Sequence, residues 1–428
     1  MLVLFLEGLL LVFIVRLLTK SWRPMVWRAL FWVAMWSIFW LLLVQLELVA
    51  ISPDGTYGSD ARYYYEAMHS TIEAGKWWPP ADTLTPGYVA FGTFVLHTSP
   101  GDSVVWVKLA NIGLLLISLA FSFYILQSWG ISKRVAYFII MLAGTNGIVT
   151  WMVVRNLKDT LFLFLTLALI TGMGFFLSKE HHAPVFLRVS GILLVGLVCV
   201  WALGLIRPWG SYWAFGIIGA TIVELLFKKE LGLKISKSLF FGTLALSLVL
   251  IVWLLASYQA AIQDFSVLID YARRAGGLVG VTPMDIILAI PRFLIGPGPI
   301  RAIFGWEAFQ VTTSMGNILI VLGAFAWWLY LPILILAILQ GPSYWLRYLS
   351  IFMPLVIFLG VYSFAYSGSV ETRFRAIVYV LSFIGTAPYI DKAIKQRNPG
   401  RFLVYAGIAL IVWVGGAVTS YVSLTGWH

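Results

Sequence analysis

Asp60, Tyr64 and Ala67 stand at the three- and four-residue spacing that puts side chains on one face of a helix, and Arg62 and Glu66 are spaced to pair on another. The stretch Ser59–Gly75 predicts a short helix, with Ser59 as N-cap and Gly75 just past its end. Asp60 then lies in the first turn, beside phenol rings. A carboxylate so placed can take a proton from a hydroxyl acceptor within hydrogen-bond reach. It can equally do no more than complement the helix dipole.

Three further segments carry charge at helix ends: Arg155-Asn156-Leu157-Lys158-Asp159, Arg207 opening Arg207-Pro208-Trp209, and Glu371-Thr372-Arg373-Phe374-Arg375. Guanidinium and ammonium groups gathered at a hydrocarbon boundary can neutralise a lipid phosphate or pyrophosphate, because the low local dielectric strengthens each contact. Arginine offers a bidentate fork, whereas Lys158 acts as a point charge. The plainer reading is that Arg155 and Lys158 snorkel from helix ends while Asp159 caps the helix that follows.

The elements that must position these residues follow from composition. Of the 428 residues 61% are hydrophobic and 11% charged, and mean hydropathy is +0.92, which excludes a soluble globule, where about 45–50% and about 25% are usual. Apolar windows predict spans near 2–19, 29–51, 104–126, 135–154, 159–178, 188–206, 208–227, 239–259, 316–340, 346–366, 374–390 and 402–423. The expectation is an all-α integral membrane protein with about twelve transmembrane helices, forming one domain over 1–428 with no internal repeat. The run from Leu2 has no basic segment before it and no small-residue cleavage site after it, so it reads as a retained helix.

Alternate loops collect seventeen of the 29 basic residues but four of the 18 acids. Those loops are assigned to the cytoplasm by the positive-inside rule. Both termini and the two long loops, 52–103 and 260–315, then lie outside. All four charged segments fall on that external side. The net charge of +11 therefore reflects membrane orientation, and no nucleic-acid partner is expected.

The segment from Trp77-Trp78-Pro79-Pro80 to Thr85-Pro86-Gly87-Tyr88 combines turns with an apolar stretch too short to span, suited to the external interface. The 260–315 loop, with Asp264, Asp270, Arg273, Arg274, Asp285, Arg292, Arg301 and Glu307, has the size of a lid but is assigned no catalytic residue. Cys199 is the single cysteine, which excludes an intrachain disulfide. There is no P-loop, dinucleotide fingerprint or His-Glu-x-x-His, and His181-His182 reads as a solvated cytoplasmic turn.

Taken in order, Ser59-Asp60 with Tyr64 and Thr85-Pro86-Gly87-Tyr88, then Arg155-x-x-x-Asp159-Thr160, then Glu371-Thr372-Arg373-Phe374-Arg375, resemble the polyprenyl-phosphate-dependent glycosyltransferases of the GT-C fold. The likeness is to the protein O-mannosyltransferase and aminoarabinose transferase group. Where that family often has a second acid directly after its aspartate, this chain has Ala61. The resemblance implies a GT-C-like fold and transfer of a sugar from a polyprenyl-phosphate donor to a hydroxyl on a lipid, glycan or protein, with inversion. It implies Asp60 as general base, and Asp159 orienting Lys158 or binding acceptor hydroxyls. Arg155, Lys158, Arg207, Arg373 and Arg375 would hold the departing phosphate, with Tyr64 and Glu371 at the acceptor or sugar. The scheme requires no cofactor, since the cations can supply the positive charge. A divalent metal shared by Asp60 and another acid is compatible with it. The expected location is a prokaryotic plasma membrane, with the site on the external face.

Two rivals account for part of the same pattern. An envelope oligosaccharide polymerase or ligase would centre its chemistry on the 260–315 loop. A lipid-linked sugar transporter would need repeated halves and ionisable residues at mid-membrane, and acids are scarce there.

Overall fold

The computed structural model describes residues 1–52, 54–80, 82–178, 184–207, 209–229, 290–291, 293–296, 313–366, 372–396 and 399–424. Its helices are α1 (Leu2–Leu17), α2 (Arg23–Ile51), α3 (Ser59–Glu73), α4 (Pro86–His97), α5 (Val105–Ser128), α6 (Lys133–Thr145), α7 (Gly147–Val153), α8 (Asp159–Leu177), α9 (Val185–Ile206) and α10 (Gly210–Phe227). They continue as α11 (Ser314–Ile338), α12 (Pro342–Arg347), α13 (Leu349–Tyr366), α14 (Thr372–Gln396) and α15 (Pro399–Leu424). No strand occurs among the described residues.

Among the described residues seven helices, α2, α5, α8, α9, α10, α11 and α14, are long and apolar enough to cross a bilayer, and the bent pair α6–α7 makes an eighth if it counts as one span. In hydrocarbon an uninterrupted helix satisfies its own backbone polar groups, which is why such runs adopt this form. The described residues form a helical, multi-pass membrane protein. The expectation was twelve spans. α1, at 16 residues, falls short of the roughly 20 that a crossing takes, α13 and α15 have 18 and 26 residues, and 239–259 lies outside the described residues.

The expected single span 135–154 is two helices meeting at 55°. Asn146 breaks it: its side chain accepts from Ile148 N at 3.0 Å and Val149 N at 3.3 Å, capping α7 in place of continuing α6. Gly147 lies against the Leu319 carbonyl of α11, leaving no room for a Cβ.

Burial separates the centre from the rim. The apolar window of α14 is 78% buried and that of α5 72%, against 17% for α9, whose Leu193, Leu194, Leu197 and Trp201 are exposed in the manner of a lipid-facing surface. α8 packs on α5, α9 and α10, while α14 packs on α6, α7 and α13. The bundle therefore has two polar ends. At one, α3, α4 and the starts of α5, α8 and α14 converge; at the other, the ends of α5, α8 and α10 meet the start of α13.

Candidate functional site

The first of these ends is built from a short loop held in place by buried groups. Asp54 accepts from the Ser52 hydroxyl and from Thr56 N at 3.1 Å. Burial pushes its carboxyl pKa up, but these hydrogen bonds and the charge of Arg62 outweigh it and hold the group below the ordinary value. Lys108, on α5 and 1% exposed, reaches Gln45 Oε1 at 2.6 Å and the Gly55 carbonyl at 2.8 Å. So fixed, the loop presents the Tyr57 carbonyl to Arg155 Nη2 at 3.0 Å.

Gly58, at φ +89°, is the residue from which α3 starts, and a Cβ there would lie 2.7 Å from Arg155 Nη2. Ser59, expected as the N-cap, is instead the first helical residue, because the cap must be a residue without a side chain against the guanidinium. Asp60 follows in the first turn, half-buried. Arg62 and Glu66 pair at 2.8 Å on the exposed face, as their spacing predicts.

Arg155 itself is 4% exposed, with its guanidinium 5.1 Å from the Trp151 ring. Its neighbours are ordered around a buried phenol. Tyr88 donates to Asn156 Oδ1 at 2.8 Å, Asn156 Nδ2 donates to the Ala61 carbonyl at 3.2 Å, and Asn111 Nδ2 reaches Tyr88 Oη at 3.3 Å and the Arg155 carbonyl at 3.1 Å. Burial drives the Tyr88 hydroxyl pKa far above the tyrosine range, more than the Asn111 hydrogen bond lowers it, so the phenol stays a neutral donor. Tyr64 meets Tyr88 edge-on at 5.2 Å, and the Lys158 ammonium lies 5.7 Å from the Tyr64 ring.

Directly after Lys158, Asp159 Oδ1 accepts from Arg207 Nη2 in an ion pair with neither partner appreciably exposed. Asp159 stands in the first turn of α8, where the dipole favours a carboxylate. The Arg207 guanidinium is enclosed by three rings, Phe162 at 5.1 Å, Phe374 at 5.3 Å and Trp209 at 5.5 Å. Phe374 belongs to the third charged segment of the sequence, which therefore adjoins the other two. The outer carboxylate oxygen, Asp159 Oδ2, and the Thr160 hydroxyl are buried with no hydrogen-bond partner among the described residues.

Arg375 points elsewhere. It is 3% exposed, lies 5.5 Å from the Phe293 ring and fills the space a Cβ on Gly296 would need. Trp327 and Trp328 donate to the Leu294 and Ile295 carbonyls at 2.6 and 2.7 Å, so this stretch of the 260–315 loop is fastened to α11, and Arg375 against Phe293 joins it to α14. Arg373 is in the first turn of α14. Glu371, His181 and His182 lie outside the described residues, as do 260–289 and 297–312 of that loop.

The structure thus brings Arg155, Lys158, Asp159, Arg207 and Tyr64 together beside the start of α3, where Asp60 lies. Lys108 and Asn111, one helical turn apart in an apolar run, had no place in the sequence reading; polar residues at that spacing inside a span are the signal that marks them. Among the described residues no three His, Cys, Asp or Glu side chains converge as a metal site would need. Comparison with protein-family models, with characterised proteins and with solved structures finds no match to this chain.

Proposed function

We propose that the protein transfers a sugar from a polyprenyl-phosphate donor to a hydroxyl acceptor at the external membrane face, on a GT-C-like bundle. The observation that carries this reading is the convergence, from two distant segments, of Arg155 and Lys158 with Arg207 beside the helix whose first turn holds Asp60. Cations gathered at a hydrocarbon boundary suit a lipid phosphate, because the low local dielectric strengthens each contact.

In the proposed reaction the acceptor oxygen attacks the anomeric carbon as the bond from that carbon to the phosphate oxygen breaks. The acceptor proton passes to Asp60, and the electron pair leaves on the polyprenyl phosphate. Arg155 and Lys158 neutralise the charge growing there. Arg207, held by Asp159 and caged by rings, presents its fork at a fixed angle, which makes Asp159 a positioning residue. The chain's own carboxylates and cations account for each step. A divalent ion shared by Asp60 and another acid would be compatible with the same scheme.

The test is transfer by the purified protein in vesicles containing a polyprenyl-phosphate-linked sugar, read as release of polyprenyl phosphate. Asp60→Asn should lower the rate by at least about a hundredfold, the usual contribution of a general base, while Lys234→Ala leaves it unchanged. Full transfer by Asp60→Asn would move the chemistry to the 260–315 loop, and so to a polymerase or ligase.

A further inference from the structure

The other end of the bundle carries a second group of cations, which the transfer reading does not use. Arg23 closes the turn between α1 and α2, donating from Nε to the Leu18 carbonyl at 3.0 Å and from Nη2 to the Arg16 carbonyl at 2.7 Å. Gln127, near the end of α5, fastens that turn to the one leading into α6: its Nε2 donates to Thr19 Oγ1 at 2.6 Å, and its Oε1 accepts from Thr19 N at 3.4 Å. Val33 of α2 lies against Gly144 of α6, and further on Trp36 Nε1 donates to Thr150 Oγ1 at 2.8 Å. That first contact is ten residues past Arg23 and eleven past Lys133, so α2 and α6 run the same way and begin at one level. Lys20, Arg28, Lys133 and Arg134 are exposed there, as is Arg16 in the last turn of α1.

No acid offsets these charges. None occurs between Glu7 and Glu47 or between Asp102 and Asp159, and among the described residues none of these six cations is ion-paired. The described acids that reach this end are taken: Asp391 accepts from Ser132 N at 3.2 Å and Lys395 Nζ at 2.6 Å, and Glu224 from Lys228 Nζ at 2.8 Å. Arg23, Lys133 and Arg134 also stand in the first turns of α2 and α6, where the helix dipole disfavours a cation and favours an anion. Each helix carries exposed rings one turn further in. Phe31 and Trp32 follow Arg28 by three and four residues, and Phe138 follows Arg134 by four, so rings and cation share a face on both. Arg28 stands five residues, about 7.5 Å, inside the start of α2, a depth that its own side chain covers by snorkelling.

We infer that the joined turns at the starts of α2 and α6 bind the phosphate headgroups of anionic phospholipids in the adjoining leaflet. The phosphate takes the place of the missing acid. Lys20, Arg28, Lys133 and Arg134 give it charge-assisted hydrogen bonds at headgroup level, and the first acyl carbons lie on Phe31, Trp32 and Phe138. A zwitterionic headgroup brings its own cation and gains less. If these cations only recorded membrane orientation, any two at this end would be interchangeable. The surface shares no residue with the Asp60 end, so it stands apart from the transfer reading.

The experiment is native mass spectrometry of the delipidated full chain, supplied with equal amounts of phosphatidylglycerol and phosphatidylcholine carrying the same acyl chains. Phosphatidylglycerol should be retained in preference by about tenfold. Lys20→Gln with Arg28→Gln, and Lys133→Gln with Arg134→Gln, should each cut that preference to about twofold or less. Lys229→Gln with Arg347→Gln, which takes the same charge from the ends of α10 and α12, should leave it unchanged. Phosphatidylglycerol should also raise the thermal unfolding midpoint of the wild type and of the Lys229→Gln, Arg347→Gln protein but of neither other pair, which separates lost binding from lost folding. Equal retention of the two lipids by the wild type would overturn the inference, as would an undiminished preference in either pair on the joined turns, or an equal loss in the Lys229→Gln, Arg347→Gln protein.

Discussion

The space that a side chain on Gly58 would need is occupied by the guanidinium of Arg155, 2.7 Å from where the Cβ would stand. The two residues are 97 apart in sequence, yet this contact sets where α3 begins and so where Asp60 sits. Gly58→Ala should lose on two counts, a left-handed φ that costs an L-residue about 1–2 kcal/mol and displacement of Arg155 from the Tyr57 carbonyl. Gly75→Ala, also at positive φ but with open space around its Cβ, carries the strain alone. Thermal unfolding should show Gly58→Ala the less stable. Sugar transfer should fall in Gly58→Ala and stay near wild type in Gly75→Ala.

Asp159 and Arg207 form an ion pair in which both side chains are buried. Asp159→Asn should destabilise the protein by about 3–5 kcal/mol, because it leaves a guanidinium buried without its counter-charge. Replacing both partners, as Asp159→Asn with Arg207→Met, should recover much of that loss. Unfolding in mixed detergent micelles measures the cycle. A double variant whose loss equals the sum of the losses of Asp159→Asn and Arg207→Met would mean the pair contributes nothing beyond its separate residues.

Tyr88 links α4 to the segment that carries Arg155. Tyr88→Phe removes the donor to Asn156 Oδ1 and the acceptor for Asn111 while keeping the ring, so about 1–3 kcal/mol should be lost. The pH dependence has a definite sign. Its folded-state pKa is raised by burial, so the stability it contributes is complete below the unfolded tyrosine value of about 10 and declines as pH rises above that. Stability curves of wild type and Tyr88→Phe should therefore converge above pH ~10.

Much of the helical framework is legible in the sequence because a membrane admits few alternatives to a continuous apolar helix. The starts of α5, α8 and α11 fall within two residues of the apolar windows that predict them. Local pairing was legible as well, in Arg62 with Glu66. What the sequence hides depends on contacts between distant segments. Asn146 reads as one polar residue in an apolar run, and only the approach of α11 at Gly147 and Gly323 shows why the helix breaks there. Gly58 looks like part of a turn until Arg155 is beside it. Lys108 is masked by its apolar neighbours, although one buried cation anchors the whole 52–57 loop. The grouping of Arg155, Lys158, Asp159 and Arg207 was readable from alternating sidedness. The rings around Arg207 and the separate direction of Arg375 were not, since both depend on which faces of α8 and α14 turn inward.

The acid limb of the transfer rate should report Asp60 and not its acidic neighbour. Asp54 has a folded-state pKa depressed below its unfolded value, so its contribution is complete above about pH 4 and is lost only as pH falls through the lower folded value. Between about pH 5 and 8 it stays ionised throughout. A fall in rate over that range must then come from another group. Asp54→Asn should leave the shape of the profile as it is while lowering stability through the Ser52 and Thr56 contacts. Arg155→Ala should keep the shape too but raise KM for the polyprenyl-phosphate donor, since it removes a phosphate ligand and no proton carrier. Rate measurements across pH on these two variants, beside Lys234→Ala, separate the roles. A shift of the acid limb in Asp54→Asn would assign the base to the 52–57 loop and remove Asp60 from the mechanism.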